Sequence, residues 1–107
     1  MGRATTKEVM RELRRVKRKA AKMYAIDRMF LFGSRARGDE LLTSDVDLIV
    51  VSSDFKDIPF RKRPDFFLDL WTLPVDFEVL CYSPDEIERK KKELGLVREA
   101  LKQAKEI

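Results

Sequence analysis

The sequence predicts an α/β chain of the α+β kind: a small mixed β-sheet covered by helices, in the order α-β-α-β-α-β-α. Three observations carry this reading. Amphipathic helical stripes open and close the chain, three short apolar runs rich in Phe, Val, Ile and Leu lie between them, and Gly and Pro mark the boundaries. At 107 residues the chain is expected to form one domain, 1–107, since domains usually run to about 100–200 residues.

The first helix opens on Thr5-x-x-Glu8, a capping box in which each side chain satisfies a free backbone N–H at the helix start. Val9, Leu13, Val16, Ala20 and Met23 then recur at spacings of four and three, which extends the helix to about residue 24. The first strand is expected over 27–32. Residues 33–37 make a turn and short helix, stopped by Gly38, and a loop over 39–44 leads into a second strand over 46–51. Residues 52–63 are polar and interrupted by Pro59, so they read as loop. Proline is tolerated in a first helical turn and not in a helix interior, which starts the next helix near Pro64 and runs it to 72, burying Phe67, Leu68 and Trp71. The third strand is expected over 75–82. Ser83-Pro84-Asp85-Glu86 then supplies an N-cap, a first-turn proline and a capping-box glutamate. The last helix is expected over 84–104, with Ile87, Leu94, Val97, Leu101 and Ala104 as its stripe and Gly95 as its weak point.

Composition narrows the chemistry. There is no histidine, which removes imidazole acid–base catalysis, Ser-His-Asp triads and His-ligated zinc. The single cysteine, Cys81, cannot form an internal disulfide, in keeping with a reducing cytoplasm. No signal peptide and no membrane-length apolar run is evident, so no membrane partner is expected. The net charge is +4 with 39% charged residues, a balance that favours anionic partners. Abundant Lys, Arg and Glu with no asparagine hint at a thermophilic source.

The chemistry concentrates between residues 33 and 51. Gly33-Ser34 follows the apolar run Met29-Phe30-Leu31-Phe32 and opens a short helix whose free N–H groups suit phosphate. Ten residues later come Asp45 and Asp47. Side chains two apart on a strand share a face, with Cα atoms about 6.6 Å apart, so the two carboxylates can converge on one metal or a metal pair. Val46, Leu48, Ile49, Val50 and Val51 around them read as a strand covered on both faces, where an unpaired carboxylate is costly. A phosphate cradle beside hard oxygen ligands suits Mg²⁺-assisted phosphoryl or nucleotidyl transfer.

Gly33-Ser34, ten residues and Asp45-x-Asp47 together resemble the minimal nucleotidyltransferases of the DNA polymerase β superfamily. These are small prokaryotic proteins often encoded beside a HEPN-domain toxin as its antitoxin. The resemblance extends through residues 75–107. It implies the nucleotidyltransferase fold and two Mg²⁺ ions held by Asp45, Asp47 and a third carboxylate. It further implies ATP as substrate, with its triphosphate on Gly33 and Ser34, and a HEPN tyrosine as the adenylylated acceptor. The third acid has two candidates at i, i+2 on the third strand, Asp76 and Glu78. Many relatives carry it six residues before the proline that opens the last helix; Glu78 stands there relative to Pro84, with Asp76 in reserve.

Other residues have plainer readings beside functional ones. Arg35 and Arg37 are either solvated or paired with phosphate oxygens. The basic residues of the first helix and of 89–92 are either a solvated face or a surface for an acidic partner or RNA. Phe60, Phe66, Phe67, Trp71 and Cys81 read as packing. Two alternatives to an enzyme remain: a non-catalytic antitoxin or structural subunit that binds a HEPN partner, and a nucleic-acid binder using the basic helices, the less favoured of the two. Homo-oligomerisation is left open.

Overall fold

The computed structural model describes residues 2–93 and 95–107. Helix α1 spans Thr6–Ala20, strand β1 Ile26–Phe32, the one-turn helix α2 Ser34–Arg37 and strand β2 Val46–Ser52. Two 3-10 turns, Ser53–Asp57 and Phe60–Lys62, precede helix α3, Asp65–Leu70. Strand β3 is Phe77–Tyr82, followed by helices α4, Pro84–Lys92, and α5, Leu96–Lys102, and a short strand β4, Lys105–Glu106.

The strands form one mixed sheet in the order β3-β2-β1-β4. β2 runs parallel to β3, and β1 is antiparallel to both β2 and β4. Alternation along the strands builds two cores. On one face Met29, Leu31, Leu48, Val50, Val79 and Cys81 meet Val9, Leu13 and Val16 of α1 and Phe67 of α3. On the other face Phe30, Phe32, Ile49, Val51 and Tyr82 meet Ile87 of α4 and Val97 of α5. β2 is thus the central strand of the site region, covered on both faces as its apolar run demands. No helix among the described residues is long and apolar enough to cross a membrane.

Both expected capping boxes form, at Thr5/Glu8 and at Ser83/Glu86. Several boundaries differ from the expectation. Helix α1 ends at Ala20, because the next turn tightens: the N–H groups of Met23 and Tyr24 both bond the Ala20 carbonyl. Met23 is thereby rotated off the stripe and is 60% exposed. Helix α3 is shorter than expected and leaves Leu68 exposed, while Trp71 beyond it stacks on Phe77 at 3.9 Å between ring centroids. β3 starts at Phe77 and not at residue 75, because the Val75 carbonyl is taken by the Trp71 indole N–H at 3.0 Å. The expected single closing helix is two helices, broken after Lys92, with Gly95 in an extended conformation before α5. Leu94, expected in its stripe, lies outside the described residues. β4, absent from the expected order, pairs Glu106 with Phe30 and Lys105 with Leu31.

Candidate active site

The site is assembled from the ends of three neighbouring strands. Register places Phe32 opposite Asp47 and Asp47 opposite Glu78, so β1, β2 and β3 bring the glycine turn and two acids into one row. Gly33 has φ +75° and ψ −159°, a backbone region that side chains other than glycine's rarely enter. A Cβ built there would stand 2.6 Å from Asp47 Oδ2. Gly33 is therefore required twice over, by its own backbone and by the carboxylate packed on it.

Asp47 is half-buried and flanked by acids. Burial pushes its carboxyl up to about 6, helped by the charge of Glu78, by a hydrogen bond with Glu78 and by the charge of Asp45; Arg37 opposes the rise. This is the signature of carboxylates gathered without enough positive charge among them. Asp45 and Glu78 are exposed at the rim. Asp76 sits just before β3, also exposed, and its backbone carbonyl accepts the Val46 N–H at 2.8 Å. Strand pairing thus brings Glu78, not Asp76, alongside Asp47. Among the described residues no three acids, histidines or cysteines close into a cage able to hold a metal alone. That suits Mg²⁺, which is usually held by one or two carboxylates with substrate phosphates and water completing the shell. The hard-oxygen donor set and the raised Asp47 both fit such an ion.

The two arginines of the turn separate. Arg37 is exposed, 3.4 Å from Asp39, and its charge reaches Asp47. Arg35, expected with it on phosphate, is instead 1% exposed and committed to backbone carbonyls. Its guanidinium donates to the oxygens of Ala4 at 2.8 Å, Leu42 at 3.1 Å and Ser44 at 2.9 Å. It therefore ties α2 to the N-terminal segment and to the loop that delivers Asp45. The signal was available: residues two apart on a helix point to opposite sides, so both arginines could not face one ligand. The Ser34 hydroxyl is half-buried and makes no hydrogen bond among the described residues, which leaves it free for a ligand.

The chain is similar to known proteins. A provisionally named protein adenylyltransferase of Methanocaldococcus jannaschii is 30% identical over 73 residues, which cover 67% of this chain and 85% of that one. A provisionally named nucleotidyltransferase of Sulfolobus solfataricus, solved by crystallography, superposes with a TM-score of 0.57 at 23% identity. That match covers 83% of this chain and 84% of the other, and it speaks for the fold. The family model for the nucleotidyltransferase domain matches residues 13–107, the stretch that contains every described strand of the sheet and Asp45, Asp47, Asp76 and Glu78. With that match extending over most of its length, the chain belongs to the nucleotidyltransferase domain family.

Proposed function

We propose that this nucleotidyltransferase moves AMP from ATP to a hydroxyl on a protein, with a HEPN-domain toxin as acceptor and the chain as its antitoxin. The observation that carries the transfer reading is the pairing of Asp47 with Glu78 across β2 and β3, beside a positive-φ glycine whose missing Cβ lets the Asp47 carboxylate pack against the turn. The protein acceptor is supported by the name of the Methanocaldococcus relative, and the HEPN partner by the resemblance of the Gly33-Ser34 and Asp45-x-Asp47 motifs.

Asp45, Asp47 and Glu78 would hold Mg²⁺, which when bound neutralises the triphosphate and makes the α-phosphorus a better electrophile. Ser34 donates its hydroxyl to the phosphates, and Arg37 adds a cation on the same side. The acceptor oxygen attacks the α-phosphorus, the bond to the bridging oxygen of the β-phosphate breaks, and pyrophosphate leaves. Glu78, at the outer end of the acid row, takes the acceptor proton.

The test is incorporation of α-phosphate label from ATP into a HEPN-domain protein of the same genome, with and without Mg²⁺. Labelling that needs Mg²⁺, is lost in Glu78→Gln and persists in Asp76→Asn supports the proposal. A HEPN protein bound but never labelled would make the chain a non-catalytic partner. Loss in Asp76→Asn with activity kept in Glu78→Gln would reverse the assignment of the third acid.

A further inference from the structure

The sequence leaves two readings of the first helix, a solvated face or a docking surface, and the fold sorts its cations between them. Val9, Leu13, Val16 and Ala20 are buried in the core beneath α1. At about 100° per residue, the opposite side of α1 carries Lys7, Arg11, Arg14 and Arg18, which fall within about 60° of arc and run for about 17 Å along the axis. All of them are exposed.

No acid shares that strip. The glutamates of α1 sit off it and are engaged: Glu8 accepts the Thr5 N–H at 3.0 Å, and Glu12 accepts from Arg15 at 2.8 Å and from the Thr72 N–H at 2.7 Å. Glu40, which reaches the start of the helix from the loop before β2, accepts the Thr6 hydroxyl. Among the described residues none of the strip's cations forms an ion pair, whereas Lys91 of α4 meets Glu88 at 3.0 Å and Lys102 of α5 meets Glu99 at 3.1 Å. A face kept for solvation alone mixes both signs. Here Lys7 and Arg11, and again Arg14 and Arg18, are like charges at i, i+4, an arrangement that weakens a helix. An anionic ligand laid along the strip relieves that repulsion.

The side chains of the strip say which anion. It holds arginines and one lysine, with no apolar or aromatic member, and the exposed large hydrophobics Met23, Leu41, Leu42, Phe60 and Leu68 all lie off α1. A protein partner needs a desolvated apolar or aromatic centre inside its charged rim. A phosphodiester strand needs none, because phosphate contacts alone supply its affinity, and the guanidinium fork matches phosphate oxygens. We propose that the outer face of α1 binds the phosphate backbone of a nucleic-acid strand, without regard to sequence. This surface is additional to the acid row and does not rest on the transfer reading.

Salt titration tests it. Fluorescence anisotropy would follow a labelled oligouridine of about 20 nucleotides and, as a protein-like polyanion, a polyglutamate of similar length. Four neutralised phosphates predict a log–log slope of affinity against salt of about −3, a loss of roughly 50-fold between about 50 and 200 mM. Arg14→Gln with Arg18→Gln should halve that slope and weaken binding at least about tenfold at about 100 mM salt, and glutamine keeps the helix propensity of arginine. Lys91→Gln with Lys102→Gln removes the same charge from α4 and α5 and should leave slope and affinity unchanged. Polyglutamate is expected to bind at least about tenfold less tightly than oligouridine. Equal losses in the two double variants overturn the proposal, because net charge and not the strip then governs. A flat salt profile, or wild-type binding by the Arg14/Arg18 variant, also overturns it. Equal affinity for polyglutamate overturns it in favour of an acidic protein. Displacement of oligouridine by a non-hydrolysable ATP analogue does so too, since the strand then occupies the nucleotide site. Strip-dependent binding without any AMP transfer supports the surface and counts against the transfer reading alone.

Discussion

Replacing Asp47 by asparagine is expected to stabilise the fold at alkaline pH while abolishing transfer. The Asp47 carboxyl titrates at about 6 in place of 3.8, chiefly because it is buried and faces Glu78. The folded state therefore binds the proton more tightly than the unfolded chain, and stability falls as pH rises from about 4 to about 6. Taken whole, a rise of this size corresponds to about 3 kcal/mol. The carboxylate is half-exposed, and water screens part of the repulsion, so about 1–2 kcal/mol is the expected cost at pH 8. Asparagine is neutral throughout and escapes it. In a domain of this size such a gain raises the melting temperature by roughly 5–10 °C. Thermal melts of wild type and Asp47→Asn from pH 4 to pH 8 would show curves that converge at the acid end, separate between about pH 4 and about pH 6, and stay apart above it. Mg²⁺ alone should raise the wild-type melting temperature at pH 8 and leave the variant unmoved. Parallel pH profiles for the two proteins would refute the reasoning, since the acids would then not be crowded.

Gly33→Ala should cost about 1–3 kcal/mol from its backbone region alone, and its Cβ would displace the Asp47 carboxylate; urea denaturation and the labelling assay would read the two effects. Arg35→Met should leave the Ala4 and Ser44 carbonyls without their guanidinium donor, the Leu42 carbonyl keeping the Ala4 N–H, and cost about 2–4 kcal/mol, read by urea denaturation, whereas a surface arginine would cost almost nothing. Acid should weaken the fold through Glu12 and Glu86, both held at about 2, Glu12 mainly by Arg15 with help from Thr72 and Glu86 mainly by Arg63 with help from Ser83. Their depressed values contribute stability above the ordinary glutamate range, near pH 4.5, and that stability is lost as pH falls toward 2. Glu12→Gln and Glu86→Gln should each flatten the decline in stability between these limits.

Local rules were enough for much of this protein. Two capping boxes are legible because they need only residues three apart. β2 is legible because a strand buried on both faces must be apolar throughout, and this made the interruption by Asp47 stand out. The glycine turn and its distance to the acid pair are likewise a matter of chain order. Tertiary structure decided what depends on neighbours distant in sequence. Asp76 and Glu78 share a face in any extended strand, and only the register of β3 on β2 sets Glu78 against Asp47. Helix geometry turns Arg35 and Arg37 to opposite sides, but only the fold decides that Arg35 is the one swallowed by carbonyls from residues 4, 42 and 44 while Arg37 stays at the rim. β4 is two residues long, too short for any period to show, and forms because β1 offers it an open edge. The basic residues at 89–92 read as a solvated helix face until α4 folds back over β3 and turns Arg89 and Lys90 into the rim of a cleft. A sequence states which side chains are available and which faces they share; long-range pairing of strands and helices alone sets which of them meet.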